Sequence, residues 1–107
     1  DFPEISAPLV GFVNKCTELF RTQEPLFSMR LGMGNAQGDP GEGWRCRNFL
    51  GTHLIGPILV KNPALLKVMV QAIYYHRGET CPEIPVDQYM AEGWAITAEQ
   101  LKARCQK

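Results

Sequence analysis

The two histidines and four cysteines of this chain are the side chains best suited to nucleophilic or acid–base chemistry near neutral pH. His53 lies near the end of the apolar stretch 49–54, which is typical of a buried strand, whereas His76 ends a helical pattern, where its charge would complement the helix dipole. A histidine at the end of a strand in an α/β layer commonly faces a site and can serve as a general base. We therefore take His53 as the candidate catalytic residue. The alternative left open is a buried histidine bonded to a backbone group.

The cysteines stand at positions 16, 46, 81 and 105, without a C-x-x-C pair or a Cys/His cluster of zinc spacing. We expect no metal site, and four reduced thiols in a cytoplasmic protein, although the count alone does not exclude disulfides. Cys46 is expected to be a buried apolar side chain rather than a nucleophile.

The elements that would position His53 alternate between extended and helical patterns, which indicates the α/β class. Strands are predicted at 9–13, 26–31, 44–49 and 50–54, and a helix at 63–77 with Asn62 as N-cap and Pro63 at its first position. The apolar stripe of that helix consists of Leu65, Leu66, Met69, Val70 and Ile73. A terminal helix at 97–106 would open with a capping box of Thr97 and Gln100. The glycine-rich stretch 32–43 matches no phosphate-binding pattern and is expected to be a surface hairpin loop.

Three ordered segments resemble the class I (triad-type) glutamine amidotransferases, in the branch of the cobyric acid synthase glutaminase and the glutaminase that amidates lipid II. The run at 51–63, G-T-H-L-I-G-P-I-L-V-K-N-P, is similar to the family's G-T-Y-L-H-G-P-L-L-P-K-N-P. Upstream, 9–14 is similar to G-F-E-N, and 32–35, 41–43 and 47–48 are similar to G-x-G-N, E-G and K-N. The order and the spacing of these segments make the resemblance fairly specific.

The chain departs from the family at its catalytic residues. The family's histidine falls on Ile55, which cannot take a proton, and His53 stands where the family has tyrosine. Both positions share one face of a strand, so this change moves the imidazole by roughly 6.5 Å. The family's cysteine elbow, G-G-x-C-x-G-x-Q, has no counterpart here. We therefore expect a fragment, the C-terminal half of a glutaminase domain, with no glutaminase activity of its own.

The resemblance implies that 1–107 is a single domain, part of a flavodoxin-like three-layer parent. The intact protein would hydrolyse glutamine, without a cofactor, and supply ammonia to an amide-forming synthetase or ligase of the cobyric acid or cell-wall precursor type. The resemblance also carries binding roles to Asn14, Asn35 and Gly56. The absent layers would leave apolar surface, for which we expect self-association or a partner.

Two alternatives remain: a non-catalytic amidotransferase-like binding or regulatory module, and an unrelated small α/β binding module. The charge composition bears on which kinds of partner the chain is expected to bind. Lys and Arg number 11, as do Asp and Glu, so that no basic excess favours nucleic acid or a membrane surface. No apolar run approaches the roughly 20 residues that span a bilayer.

Overall fold

The computed structural model describes Ile5 and residues 7–20 and 22–105. The chain forms two compact units. The described part of the first unit is 12–20 and 22–55, which carries the strands, and that of the second is Ile5, 7–11 and 56–105, which carries the helices. Helices together with short strands are consistent with the predicted α/β class.

Strands in the described part of the first unit pair two by two, always antiparallel. The elements are β1 (Phe12–Val13), β2 (Phe27–Ser28), β3 (Gly41–Glu42), β4 (Trp44–Cys46), β5 (Phe49–Gly51) and β6 (Leu54–Ile55). β1 pairs with β6, β2 with β3, and β4 with β5. The predicted strands at 9–13 and 26–31 are therefore present but reduced to two residues each.

The predicted strands 44–49 and 50–54 are wrong in their boundaries, because the chain reverses at 47–48. β4 and β5 form a hairpin in which Cys46 lies opposite Phe49. Arg47 in the turn has φ 53°, in the left-handed region that a side chain disfavours. Cys46 and Phe49 are exposed, so the prediction of a buried Cys46 is also wrong.

The glycine-rich stretch is only partly the surface loop that its composition suggested, since residues 32, 33, 37, 38 and 40 are exposed. Gly34, Asn35 and Ala36 are buried, and so are Gly41, Glu42 and Gly43. A Cβ at Gly34 would overlap the carbonyl oxygens of Asp39 and Gly41, and one at Gly43 would overlap that of Gly51. These glycines let backbone segments approach each other closely, which is a packing role and not a flexible one.

The second unit contains α1 (Ile58–Lys61), α2 (Pro63–His76) and α3 (Gln88–Cys105). α2 begins with Pro63 at its first turn, as predicted. Asn62 precedes it but makes no side-chain cap. Instead, the nearly inaccessible Asn62 accepts the N–H of Val10 through Oδ1 at 2.7 Å. Its Nδ2 donates to the carbonyls of Val10 and Ile58 at 2.7 and 2.8 Å, so this side chain joins the N-terminal segment to the helices.

The stripe predicted for α2 is only partly buried. Leu65 is 6% exposed and belongs to the core, Leu66 and Met69 are half-buried, and Ile73 is 57% exposed. The core is small: its buried apolar residues in the described part of the chain are Val10, Ala36 and Leu65. Many large apolar side chains are exposed, among them Phe12, Phe20, Phe49, Tyr75, Val86, Tyr89 and Ile96.

α3 begins nine positions earlier than the predicted capping box. Asp87 caps it, because its Oδ1 accepts the N–H of Met90 at 3.0 Å. Thr97 lies inside the helix, where its hydroxyl donates to the carbonyl of Gly93 at 2.8 Å. Trp94 anchors the helix by donating its indole N–H to the carbonyl of Pro8 at 2.9 Å. None of the helices in the described ranges is long and apolar enough to cross a membrane.

Candidate functional site

A buried carboxylate, Glu42, is the centre of the candidate site. Its side chain is fully inaccessible to solvent. Oε2 accepts the hydroxyl of Thr52 at 2.6 Å, and Oε1 accepts the backbone N–H of His53, also at 2.6 Å. Oε1 also lies 3.2 Å from Nδ1 of the His53 ring. Burying a carboxylate is costly unless it is hydrogen-bonded, and these three contacts provide that compensation.

Local backbone geometry brings Glu42 and His53 together. Glu42 sits in β3 opposite Phe27, between two buried glycines. Thr52 and His53 lie in a short irregular segment between β5 and β6. The continuous strand that was expected through position 53 is therefore interrupted, and the 6.5 Å displacement expected along a regular strand does not apply to this segment.

The His53 ring is partly open to solvent, with 26% of the side chain exposed. It lines a cleft of about 160 Å³ together with Leu19, Trp44, Phe49 and Thr52 and the backbone of Gly43 and Gly51. The rings of Trp44 and Phe49 meet edge to face, with centroids 5.5 Å apart. The cleft thus combines apolar walls with one imidazole.

With Glu42 ionised, this contact favours one tautomer of the neutral imidazole. An ionised carboxylate can only accept hydrogen bonds, so Nδ1 carries the proton in the contact with Glu42. Nε2 then holds the lone pair, and within the described residues it has no hydrogen-bond partner. A ring held in this way can take a proton at Nε2, and the carboxylate stabilises the resulting positive charge. The pair therefore has the parts of a general base and its orienting group.

Asn35, predicted to bind a ligand, is fully buried. Its Oδ1 accepts the N–H of Gly43 at 2.7 Å, and its Nδ2 donates to the carbonyl of Gly43 at 2.9 Å and to the hydroxyl of Thr22 at 3.2 Å. Lys15 donates to the backbone carbonyls of Gly34 and Asn35 at 2.8 and 2.7 Å. The polar atoms of the Asn35 side chain are thus bonded within the protein in this structure, and a ligand role for Asn35 stays a prediction.

The other residues that the sequence singles out are Asn14, Gly56 and Ile55. Asn14 is exposed just after β1, and Gly56, with φ 76°, belongs to the second unit. Ile55, at the family's histidine position, pairs with Phe12 and is 42% exposed. The four cysteines are free thiols, and none of them hydrogen-bonds to His53 or Glu42 among the described residues.

Sequence reasoning missed the roles of Glu42 and Thr52. Glu42 was noted only as part of an E-G match, since a single acid between glycines has no periodic signal. Thr52 gave no signal of its own. In the ranges that the structure describes, no group of three or more His, Cys, Asp or Glu side chains is arranged to hold a metal ion.

Comparison with known proteins finds one informative similarity. A segment of 70 residues is 33% identical to lipid II isoglutaminyl synthase (glutamine-hydrolyzing) subunit GatD of Staphylococcus aureus (strain N315). The match covers 65% of this chain and 29% of that protein, so the chain spans less than a third of the relative's length. No family model matches the chain, and no solved structure matches it significantly. The chain is thus similar to a subunit of a glutamine-hydrolysing amide synthase.

Proposed function

We propose that this chain is the C-terminal part of a glutamine amidotransferase-like protein. In the intact parent it helps to hydrolyse glutamine and supplies ammonia to an amide-forming synthetase or ligase of the cobyric acid or cell-wall precursor type. The observation that carries the proposal is the contact between the buried Glu42 carboxylate and Nδ1 of the half-buried His53. The similarity to a glutamine-hydrolysing subunit supports it.

In this function His53 is the general base and Glu42 orients it. Hydrolysis of an amide through a thioester needs a thiolate, a base that takes the thiol proton and returns it to the leaving amine, and donors for the oxyanion. Nε2 of His53 would take the thiol proton and pass it to the departing ammonia, while Nδ1 stays bonded to Glu42. Because none of the four cysteines hydrogen-bonds to Glu42 or His53 among the described residues, the thiolate would come from another part of a flavodoxin-like parent.

The apolar surfaces of the fragment fit such a parent. Phe12, Leu19, Phe20, Trp44 and Phe49 are each more than a third exposed in the first unit alone. We propose that other parts of the parent, or a second protein, cover them, with self-association as the alternative. The free state of all four cysteines favours a cytoplasmic protein.

The test is glutamine hydrolysis by the intact parent, measured as glutamate formation. His53→Asn should lower kcat by about 10²–10⁴-fold, the usual contribution of a general base. Glu42→Gln should lower it by up to about 10⁴-fold, as when the orienting carboxylate of a catalytic triad is neutralised. The matched control is His76→Asn, which changes the exposed histidine at the end of α2 and should leave kcat unchanged. Wild-type hydrolysis in His53→Asn would eliminate the catalytic role.

A second candidate is the non-catalytic binding or regulatory module, favoured by the apolar Ile55 at the family's histidine position. Under this function the parent has no glutaminase activity, and His53→Asn changes nothing. Ile55→His distinguishes the two candidates, because it restores the family's base. Activity that appears only in that variant would mean that the natural protein has lost its base.

A further inference from the structure

Asn35 bonds to the backbone on both sides of the candidate site's carboxylate. Its own N–H donates to the carbonyl of Gly41 at 2.8 Å, on the N-terminal side of Glu42. Its side chain accepts the N–H of Gly43 and donates to the carbonyl of Gly43 at 2.7 and 2.9 Å, on the C-terminal side. A single buried residue therefore holds the peptide groups that flank Glu42.

We propose that Asn35 is a positioning residue for His53, acting through the backbone of Glu42. The orientation of the Glu42–Gly43 peptide sets where the Glu42 side chain leaves the backbone, and that side chain holds both the N–H and Nδ1 of His53. Releasing Gly43 from Asn35 therefore moves the carboxylate away from the ring. The catalytic consequence rests on the proposed function, whereas the effect on the His53 ring does not.

Two features make the connection stiff. Gly43 has φ 74°, and a Cβ there would overlap the carbonyl oxygen of Gly51, so the peptide has little room to shift toward β5. On the other side, Lys15 holds the carbonyl of Asn35 at 2.7 Å, and the N–H of Leu19 donates to the same oxygen at 2.9 Å. Hydrogen bonds to its own backbone thus hold Asn35 in place, and its side chain in turn holds Gly43.

The first experiment reads the His53 ring by nitrogen-15 NMR of this chain, at a pH where the imidazole is neutral. In the wild type we expect the proton on Nδ1, which faces Oε1 of Glu42. Asn35→Ala removes every side-chain bond to Gly43, and Asn35→Asp keeps the acceptor but loses the donors. In Asn35→Ala we expect loss of the Nδ1-protonated signature and a mixture of the two tautomers, and in Asn35→Asp, which still accepts the N–H of Gly43, a smaller change.

The matched control is Thr22→Val, which removes only the hydroxyl that accepts from Asn35 and leaves the bonds to Gly43 in place. It should lower stability without moving the His53 signals, which separates positioning from general destabilisation. A folded Asn35→Ala that keeps the Nδ1-protonated signature would overturn the proposal. So would a Thr22→Val that shifts the ring as far as Asn35→Ala does.

A second measurement needs no variant and decides the matter if the Asn35 variants fail to fold. Amide hydrogen exchange in the wild type should show the Gly43 and His53 N–H groups with matching protection, because one opening event releases both. Faster exchange of Gly43 than of His53, by tenfold or more, would mean that the contact with Asn35 opens while Glu42 still holds His53. That result would refute positioning by Asn35. Loss of glutaminase activity in the parent would bear on neither experiment.

Discussion

Replacing Asn62 tests whether a single buried amide holds the second unit together. Asn62 is 1% exposed, and its side chain bonds the N–H and the carbonyl of Val10, 52 residues away in sequence, as well as the carbonyl of Ile58. Asn62→Ala removes all three hydrogen bonds and supplies no replacement. The N–H and carbonyl of Val10, a residue that is itself 5% exposed, would then lose these partners.

The size of the effect follows from those orphaned groups. A buried polar group left without a partner costs about 1–3 kcal/mol, so the two groups of Val10 predict a loss of about 2–6 kcal/mol in the free energy of unfolding. A domain of this length has a total stability of roughly 5–15 kcal/mol. Asn62→Asp should be at least as harmful, because it keeps one acceptor but places a carboxylate against the two carbonyl oxygens that Asn62 now donates to.

The assay is urea denaturation followed by circular dichroism at 222 nm. With a urea dependence of about 1–3 kcal/mol per molar, a loss of about 4 kcal/mol, the middle of the estimate, lowers the midpoint by about 1.3–4 M. Asn14→Ala makes the same substitution at an exposed position and should change the free energy of unfolding by less than about 0.5 kcal/mol. An Asn62→Ala midpoint equal to that of Asn14→Ala would refute the reasoning.

Three further predictions concern stability and are checked by the same denaturation assay. Gly34→Ala should lower the free energy of unfolding by at least about 1–3 kcal/mol, because the new Cβ overlaps two carbonyl oxygens. Gly93→Ala in α3, which has open space around it, should raise the free energy of unfolding by about 0.8–1 kcal/mol. Equal effects of the two substitutions would contradict both predictions. Leu65→Ala should lower the free energy of unfolding by about 2–5 kcal/mol, and Ile73→Ala, on the same helix but 57% exposed, by less than about 1 kcal/mol. The reverse order would mean that a different face of α2 is buried. Arg47→Gly relieves a left-handed conformation that costs about 1–2 kcal/mol, but glycine also makes the unfolded chain more flexible, which offsets part of this gain. The free energy of unfolding should therefore rise by about 0.5–1 kcal/mol. A decrease would contradict strain at Arg47.

Local signals were sufficient for the main helix. Asn62-Pro63 marks the start of α2 in the sequence and Gly78 marks its end. Gly78 adopts φ 70° just after the helix, as is typical of a C-terminal glycine. These signals act within a few residues, so they can be read without the fold. The predicted start of the last helix at Thr97 is wrong, because α3 begins at Gln88 and Asp87 accepts the N–H of Met90.

Tertiary structure alone decided which polar side chains became buried and with which partners. Glu42 meets His53 across 11 positions, and Asn62 meets Val10 across 52. A hydrogen bond between distant residues leaves no periodic pattern in the chain, because each partner looks like an ordinary polar residue of a turn or cap. Exposure of Cys46 has the same origin, since a reversal at 47–48 turned an apparent buried strand into a hairpin.

The sequence by itself thus predicted a mixture of strands and helices, the place of α2 and His53 as a candidate site residue. It did not predict the acid that lies beside His53. Residue types and short-range spacing set helix ends and apolar stripes, whereas the environment of a side chain depends on what the rest of the chain packs against it. That is why Glu42, one of 11 acidic residues with nothing local to distinguish it, became visible as part of a site only when folding placed its carboxylate 3.2 Å from the His53 ring.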